Sequence, residues 1–388
     1  MSGRDRLRIG YIPLVDAAAL VVAVDKGFAA AEGLDIELVR EVSWSNVRDK
    51  LNIGLFDAAH MLSPVAVASS LGIGHVRVPL IAPFNIGFNG NAITVSPSLF
   101  IALTDAADGD IGNPLVSARA LGRLVAARRS RGQEPLTFGM TFPFSNHNYQ
   151  LRFWMAAGGI DPDEDVRLVV LPPPYMVESL TSGHVDGFCV GAPWNSVAVD
   201  LGIGNILHFG SDIFANISEK VLAVRRNWAD EHPAVLARLI RAMERAAQYV
   251  AEPMHRAEIV RLLASAERIA VSEKIIEATM AGNLKTSPSG TTRASERYLV
   301  IGGATSRPDP VQGMWIYTQM VRWRQAPLSS DSVAAARSVY RPDLYDAALG
   351  SKKGLPLEER DRVEPFAGPE FNPADIPGYL AAWIGRPV

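Results

Sequence analysis

The sequence predicts an α/β protein of two units, each built around a mainly parallel sheet. Three observations predict it. Short apolar strands alternate with helices between Leu7 and Leu62, the pattern of a parallel sheet with crossover helices. The same alternation begins again after residue 94. The chain then returns through Leu222–Val224 into long helices, so the second unit reads as an insertion in the first. The expected division is residues 1–93 plus 222–388 for the first lobe, with its C-terminal helices, and residues 94–221 for the inserted second lobe. A chain of 388 residues, 48% hydrophobic and 20% charged, is long enough for both.

Leu7–Pro13 is a short apolar run closed by Pro13 and Asp16, hence a buried strand. Ala17–Lys26 reads as a helix broken by Gly27. Leu34–Val39 alternates at period two, as a strand does. Val47–Gly54 is a helix started by the polar cluster Ser43–Asn46, and Asp57–Leu62 is a third strand. In the second unit Leu136–Thr141, Val166–Leu171 and Val185–Val190 read as strands. His147–Ala157 and Met176–Ser182 read as the helices between them. The helix beginning near Pro233 keeps Leu236, Leu239, Ile240, Met243 and Val250 on one face and Arg238, Arg241 and Glu244 on another. Beyond Asn283 the chain reads as a wrapping extension with short helices, including Val311–Trp323. The segment Glu358–Asp361 reads as a solvated face.

A formal net charge of −3 provides no global basic field for nucleic acid or acidic membrane. No run approaches the roughly 18 apolar residues of a membrane span. The one cysteine, Cys189, lies in the apolar run Gly187–Val190 and reads as a small buried hydrophobe. It can form no internal disulfide, and no Cys/His zinc spacing exists. No metal or cofactor is expected. The leader Met1–Arg6 lacks the parts of a secretory signal, which predicts a cytoplasmic protein. Neither a nucleophile elbow, a phosphate-binding loop nor a zinc-protease motif occurs, and Gly72-x-Gly74 and Gly202-x-Gly204 read as turns. The absence of these motifs counts against catalysis.

Longer motifs point to a family. Gly10–Asp16, Ser43-Trp44 and Asp57–Pro64 resemble the opening of the nitrate- and bicarbonate-binding proteins of ABC transporters. Met140–Pro143 with His147, Leu171–Pro174, Cys189–Asn195 and Arg307–Trp315 resemble the same family further along. The resemblance implies a two-lobed, type II periplasmic-binding-protein-like fold with a C-terminal wrapping extension. With no leader visible, the chain looks closest to the cytoplasmic branch, the NasS-type nitrate/nitrite sensors. That branch implies a partner, an RNA-binding antiterminator of the ANTAR class, which the ligand-free sensor holds and the liganded sensor releases by a hinge closure. The alternative is the substrate-binding component of an ABC transporter for nitrate, nitrite or bicarbonate. An enzyme of the thiamine-pyrimidine synthase type, on the same fold, needs a cysteine-rich motif that one cysteine cannot supply.

The resemblance places the ligand contacts at the mouth between the lobes, on Trp44, Asn91, His147, Pro173, Val190, Gly191 and Lys220. Asn91 stands where the transporter pattern has glutamine, and Ala192 where it has an acidic residue. Nitrate only accepts hydrogen bonds, so its site needs donors and no competing carboxylate. Lys220 offers three N–H donors and a full charge, while Trp44, Asn91 and His147 offer neutral N–H groups. The Val190-Gly191 turn can present backbone N–H groups. Lys220 also favours nitrate over bicarbonate, because the bicarbonate-binding relatives carry an acidic residue there and use calcium. Each residue has a plainer reading: Trp44 as packing, His147 as a helix cap, Asn91 as a turn residue, Pro172–Pro174 as a loop former. Taken singly these win for all but Lys220. Taken together, in the family's order, the ligand role is favoured for Trp44, His147, Gly191 and Lys220, with Asn91, Pro173 and Val190 completing the set. His60 reads as a satisfied core histidine.

Overall fold

The computed structural model describes residues 4–350 and 363–383. It divides into two compact units, Met1–Phe88 with Ile217–Met280 and Leu299–Arg362, and Asn89–Asn216 with Ala281–Tyr298 and Val363–Val388. Glu358–Asp361 lies outside the described residues. No helix among the described residues is long and apolar enough to cross a membrane.

The first unit holds a six-stranded sheet in the order Leu299–Val300, Leu80–Asn89, Ser218–Arg225, Ala58–Leu62, Asp5–Tyr11, Leu34–Arg40. Asp5–Tyr11 pairs in parallel with Leu34–Arg40 on one side and with Ala58–Leu62 on the other. Crossover helices make that arrangement possible. Ala18–Asp25 and Trp44–Asn52 supply them. The second starts where Ser43 Oγ accepts the Asn46 N–H at 3.2 Å, satisfying a donor that the first helical turn leaves open. Ser218–Arg225 is antiparallel to Ala58–Leu62, with Lys220 opposite Leu62. It also pairs antiparallel with Leu80–Asn89, with register shifts near Lys220.

The second unit repeats this plan. Its five strands run Arg167–Val170, Thr137–Met140, Gly187–Gly191, Asn91–Val95, Asn205–Phe209. The first three are parallel, and Asn91–Val95 is antiparallel to both of its neighbours. In each sheet the earliest of the three parallel strands lies between the other two, the second forms the sheet edge, and the third pairs with an antiparallel strand from elsewhere in the chain.

These pairings explain why the division differs from the one expected at residues 94 and 221. Asn91–Val95 belongs with the second unit because Gly187–Gly191 is its partner. Lys220 belongs with the first because its strand pairs with Ala58–Leu62. The extension, expected wholly in the first lobe, also contributes Ala281–Tyr298 and Val363–Val388 to the second unit.

Most expected elements lie within a few residues of their observed bounds. Leu80–Asn89 is an unanticipated strand, its pattern interrupted by Pro83 and Gly87. Among the unanticipated helices are Pro97–Ala106 and Pro114–Ser130. Each carries a readable start signal, Ser96-Pro97 and Asn113-Pro114, a capping side chain followed by proline in the first turn. In the helix Pro233–Ala251, Glu244 departs from the expected polar face. It is buried, and accepts from Tyr345 Oη at 2.8 Å and from Gln248 Nε2 at 2.9 Å.

Candidate functional site

In the first unit, Trp44 and Lys220 meet in one buried cluster. Trp44 opens its helix with the side chain turned inward. Lys220 stands on the strand returning from the second unit, and its side chain is wholly buried rather than a surface charge. Its Nζ lies 5.4 Å from the centre of the Trp44 ring, within range of a cation–π attraction. Nζ is also 2.9 Å from Asp16 Oδ2 and 3.0 Å from Glu219 Oε1. Asp16 comes from the single turn Val15–Ala17 after the first strand. His60, on Ala58–Leu62, completes the group: Nε2 is 3.0 Å from Asp16 Oδ1, and its ring centre is 5.5 Å from that of Trp44.

The electrostatics follow from burial and pairing. Burial alone would favour the neutral amine of Lys220, but Asp16 and then Glu219 outweigh it and hold the ammonium above the ordinary lysine value. Burial would also raise the Asp16 carboxyl, yet Lys220 and then His60 hold it well below the usual carboxylate range. At His60 burial prevails over the pull of Asp16, so the imidazole titrates below an ordinary histidine and is neutral at neutral pH. The Trp44 Nε1 and His60 Nδ1 atoms are buried with no hydrogen-bond partner among the described residues. Buried polar atoms without partners are uncommon in native folds and need an explanation.

Two sequence readings change here. The expectation of a lysine free of competing carboxylates does not describe Lys220, which sits between two. The expectation of a satisfied core histidine does not describe His60, whose Nδ1 is unpaired. Asp16, Glu219 and His60 were not chosen as site residues. The available signal was a lone carboxylate inside the apolar run Leu14–Ala19, since buried charges are nearly always paired.

In the second unit the strand register brings Asn91 opposite Gly191, and Ala92 opposite Val190. Asn91 Nδ2 donates to Gln150 Oε1 at 3.3 Å. Gln150 lies three residues after His147 on the helix Asn146–Ala157, so the two share a face. Ser145 caps that helix by accepting the Asn148 N–H at 3.1 Å. His147 Nδ1 is 3.0 Å from Thr141 Oγ1. The Val190 side chain packs in the core with Met176, Leu180 and Phe188. Its carbonyl accepts from Asn195 Nδ2 at 2.7 Å. Pro173, itself buried, opens a short turn ahead of Met176–Thr181. Gln150 was missed by sequence reasoning; nothing in the local pattern distinguishes it from other polar residues of its helix.

Among the described residues no group of three or more His, Cys, Asp or Glu is arranged to hold a metal ion. What the first-unit cluster can do is offer an enclosed ammonium and an unpaired indole N–H to an acceptor.

Residues 2–264 match the model of the NMT1-like family. The chain belongs to the NMT1-like family. This NMT1-like chain is 34% identical over 381 residues to the nitrate import ATP-binding protein NrtC of Synechocystis, across 96% of the chain and 54% of that protein. It is 35% identical over 378 residues to the bicarbonate transport ATP-binding protein CmpC of the same genus, with the same 96% and 54% coverage. The chain thus spans about half the length of these curated relatives. The crystal structure of the periplasmic nitrate-binding protein NrtA from Synechocystis matches with a TM-score of 0.87 and 26% identity, over 97% of this chain and 98% of that one.

The NMT1-like chain therefore has the two-lobed α/β periplasmic-binding-protein-like fold of type II. It groups with solute-binding proteins, not enzymes. The expected placement in the cytoplasmic NasS-type branch is corrected, and with it the sensor function, the cytoplasmic location and the ANTAR-class antiterminator partner. The matches are to transporter components and a periplasmic binding protein. The motifs that carried the resemblance describe a binding fold, and nothing in them distinguishes a sensor. That choice had rested on the leader Met1–Arg6, which holds no information on the protein's location.

Proposed function

We propose that the chain is the substrate-binding component of an ABC transporter for nitrate or nitrite. It works outside the cytoplasmic membrane and delivers its anion to a membrane permease and ATPase. The observation that carries this reading is the buried Trp44–Lys220 pair, an enclosed ammonium beside an indole N–H with no partner. An acceptor-only anion uses both, and charge-assisted hydrogen bonds away from water are the stronger kind. Asn91, His147, Pro173, Val190 and Gly191 are proposed as the second unit's contribution to binding. The names of the nitrate-import relative and the periplasmic nitrate-binding structure support the same solute.

Bicarbonate is the second reading, favoured by one observation. Asp16 and Glu219 put two carboxylates within 3.0 Å of Lys220 Nζ. A hydroxyl-bearing anion can donate to them, and nitrate cannot. The bicarbonate-transport relative points the same way.

Isothermal titration calorimetry with nitrate, nitrite, bicarbonate and chloride decides between them. Saturable heat from nitrate or nitrite, lost in Lys220→Ala and weakened in Trp44→Phe, supports the first reading. Heat from bicarbonate alone supports the second, and none from any anion removes both. Recovery of the tagged chain from cytosol, with none in the extracytoplasmic fraction, would contradict the proposed location.

A further inference from the structure

We propose that Gln150 is a specificity-determining residue of the anion site: it turns the Asn91 amide so that the nitrogen, and not the carbonyl, meets the anion, which favours anions that only accept hydrogen bonds. The proposal rests on the anion reading above, with Asn91 and His147 among its contacts, and names the class of anion that the second unit admits.

The argument begins with the sheet. Asn91 stands opposite Gly191, and Ile93 opposite Cys189. Side chains alternate along a strand, so Asn91 and Cys189 point to the same face. The helix Asn146–Ala157 packs against Gly187–Gly191 and carries Gln150 to that face. Asn91, Gln150 and Cys189 are all withdrawn from water.

Gln150 Oε1 is where they meet. Asn91 Nδ2 donates to it at 3.3 Å, and the Cys189 thiol donates to it at 3.3 Å. A carbonyl oxygen accepts through two lone pairs, so one atom serves both donors. The other end of the amide, Nε2, is buried with no hydrogen-bond partner among the described residues. It lies against Gly210, where an added methyl group would be 2.5 Å from Nε2 and 3.2 Å from Asn91 Cβ. The missing side chain at Gly210 lets the Gln150 amide occupy this place.

That oxygen sets the Asn91 amide. With its nitrogen toward Gln150, Asn91 makes a hydrogen bond. Turned over, two carbonyl oxygens would meet away from water, and a buried acceptor left without a donor is costly. Gln150 and His147, three residues apart, share a helix face. The Asn91 nitrogen is therefore held toward the face that also carries His147. An anion bound beside His147 meets the amide nitrogen of Asn91 rather than its carbonyl. Nitrate and nitrite only accept and fit this arrangement. Bicarbonate carries a hydroxyl and finds no acceptor in Asn91.

The test is isothermal titration calorimetry of the full chain with sodium nitrate and sodium bicarbonate, in wild type and in Gln150→Met, a substitution of similar length that removes the acceptor. Nitrate affinity should fall about three- to tenfold, the scale of one hydrogen bond, while bicarbonate binding stays level or strengthens. In an Asn91→Ala background the same substitution should cost less than about twofold in nitrate affinity, because residues that act through one another are not additive. An equal loss for both anions, or a full further loss of nitrate affinity on top of Asn91→Ala, overturns the assignment to Gln150 and leaves the anion reading intact. A crystal structure of the wild-type nitrate complex needs no variant. It should keep the Asn91–Gln150 hydrogen bond and place a nitrate oxygen within hydrogen-bond distance of Asn91 Nδ2; nitrate bound away from Asn91 overturns the proposal. No heat from nitrate in wild type overturns the nitrate reading and the proposal with it.

Discussion

Lys220 and Asp16 form an ion pair with Nζ 2.9 Å from Oδ2 and both side chains withdrawn from water. Asp16 lies just beyond the first strand and Lys220 on the strand that re-enters the sheet from the second unit. Glu219 and His60 extend the pair to four ionisable groups.

Removing one member of a buried pair leaves the other uncompensated, which typically costs about 3–5 kcal/mol. Lys220→Ala, which removes the ammonium that both Asp16 and Glu219 face, is therefore expected to lower unfolding free energy by about that amount, measured by urea denaturation of the unliganded protein. A loss below about 1 kcal/mol would mean that the pair behaves as a solvent-exposed one.

Stability should fall in mild acid through His208. This ring is buried, with Nε2 2.6 Å from Ser117 Oγ, and burial followed by the charge of Arg293 holds its pKa at about 3. The unfolded histidine titrates near 6.5, so between those values the unfolded chain binds a proton that the native chain does not. Unfolding free energy is then expected to drop by about 1.4 kcal/mol per pH unit as pH falls below about 6.5. His60, also lowered by burial, acts with the same sign. Asp16, held low, adds a loss only below the ordinary carboxylate range. Denaturation of wild type and His208→Gln across this window should show a shallower pH slope in the variant; identical slopes would exclude the His208 contribution.

Gly158 packs the helix before it against Pro114–Ser130. A methyl group added there would lie 2.0 Å from the Ala118 carbonyl oxygen. The Gly158 backbone itself is in an ordinary conformation, so the penalty is purely steric. Gly158→Ala should destabilise by about 1–3 kcal/mol or more, read as a lower denaturant midpoint. An unchanged midpoint would show that the two helices can separate at little cost.

Gln312, within the motif Arg307–Trp315, accepts the Ser218 N–H on Oε1 at 3.0 Å. The bond ties the helix Pro310–Arg322 to the strand position two residues before Lys220. Gln312→Ala strands a buried backbone donor, an expected loss of about 1–3 kcal/mol. Nitrate titration of the folded variant should show weaker binding if that strand sets the place of Lys220. Unaltered binding with lowered stability would confine Gln312 to structure.

Much of this protein is determined by its sequence alone. Leu34–Val39 alternates at period two and is a strand, and Ser43–Asn46 starts a helix because capping is a local interaction. The family resemblance implied ligand roles for Trp44 and Lys220 together, and the structure places them in one cluster. What the tertiary structure decided is which groups face one another. The pattern around Lys220 says only that a lysine sits in a strand; antiparallel pairing with Ala58–Leu62 buries it beside His60, Asp16 and Glu219. Glu244 likewise occupies a polar helical position, and only Tyr345, about a hundred residues on, takes it into the interior. Periodicity reveals which face of an element is apolar, because that depends on its own residues. The partner across a packed interface is contributed by a distant segment, so its identity, and the charge state it imposes, exist only once the chain has folded.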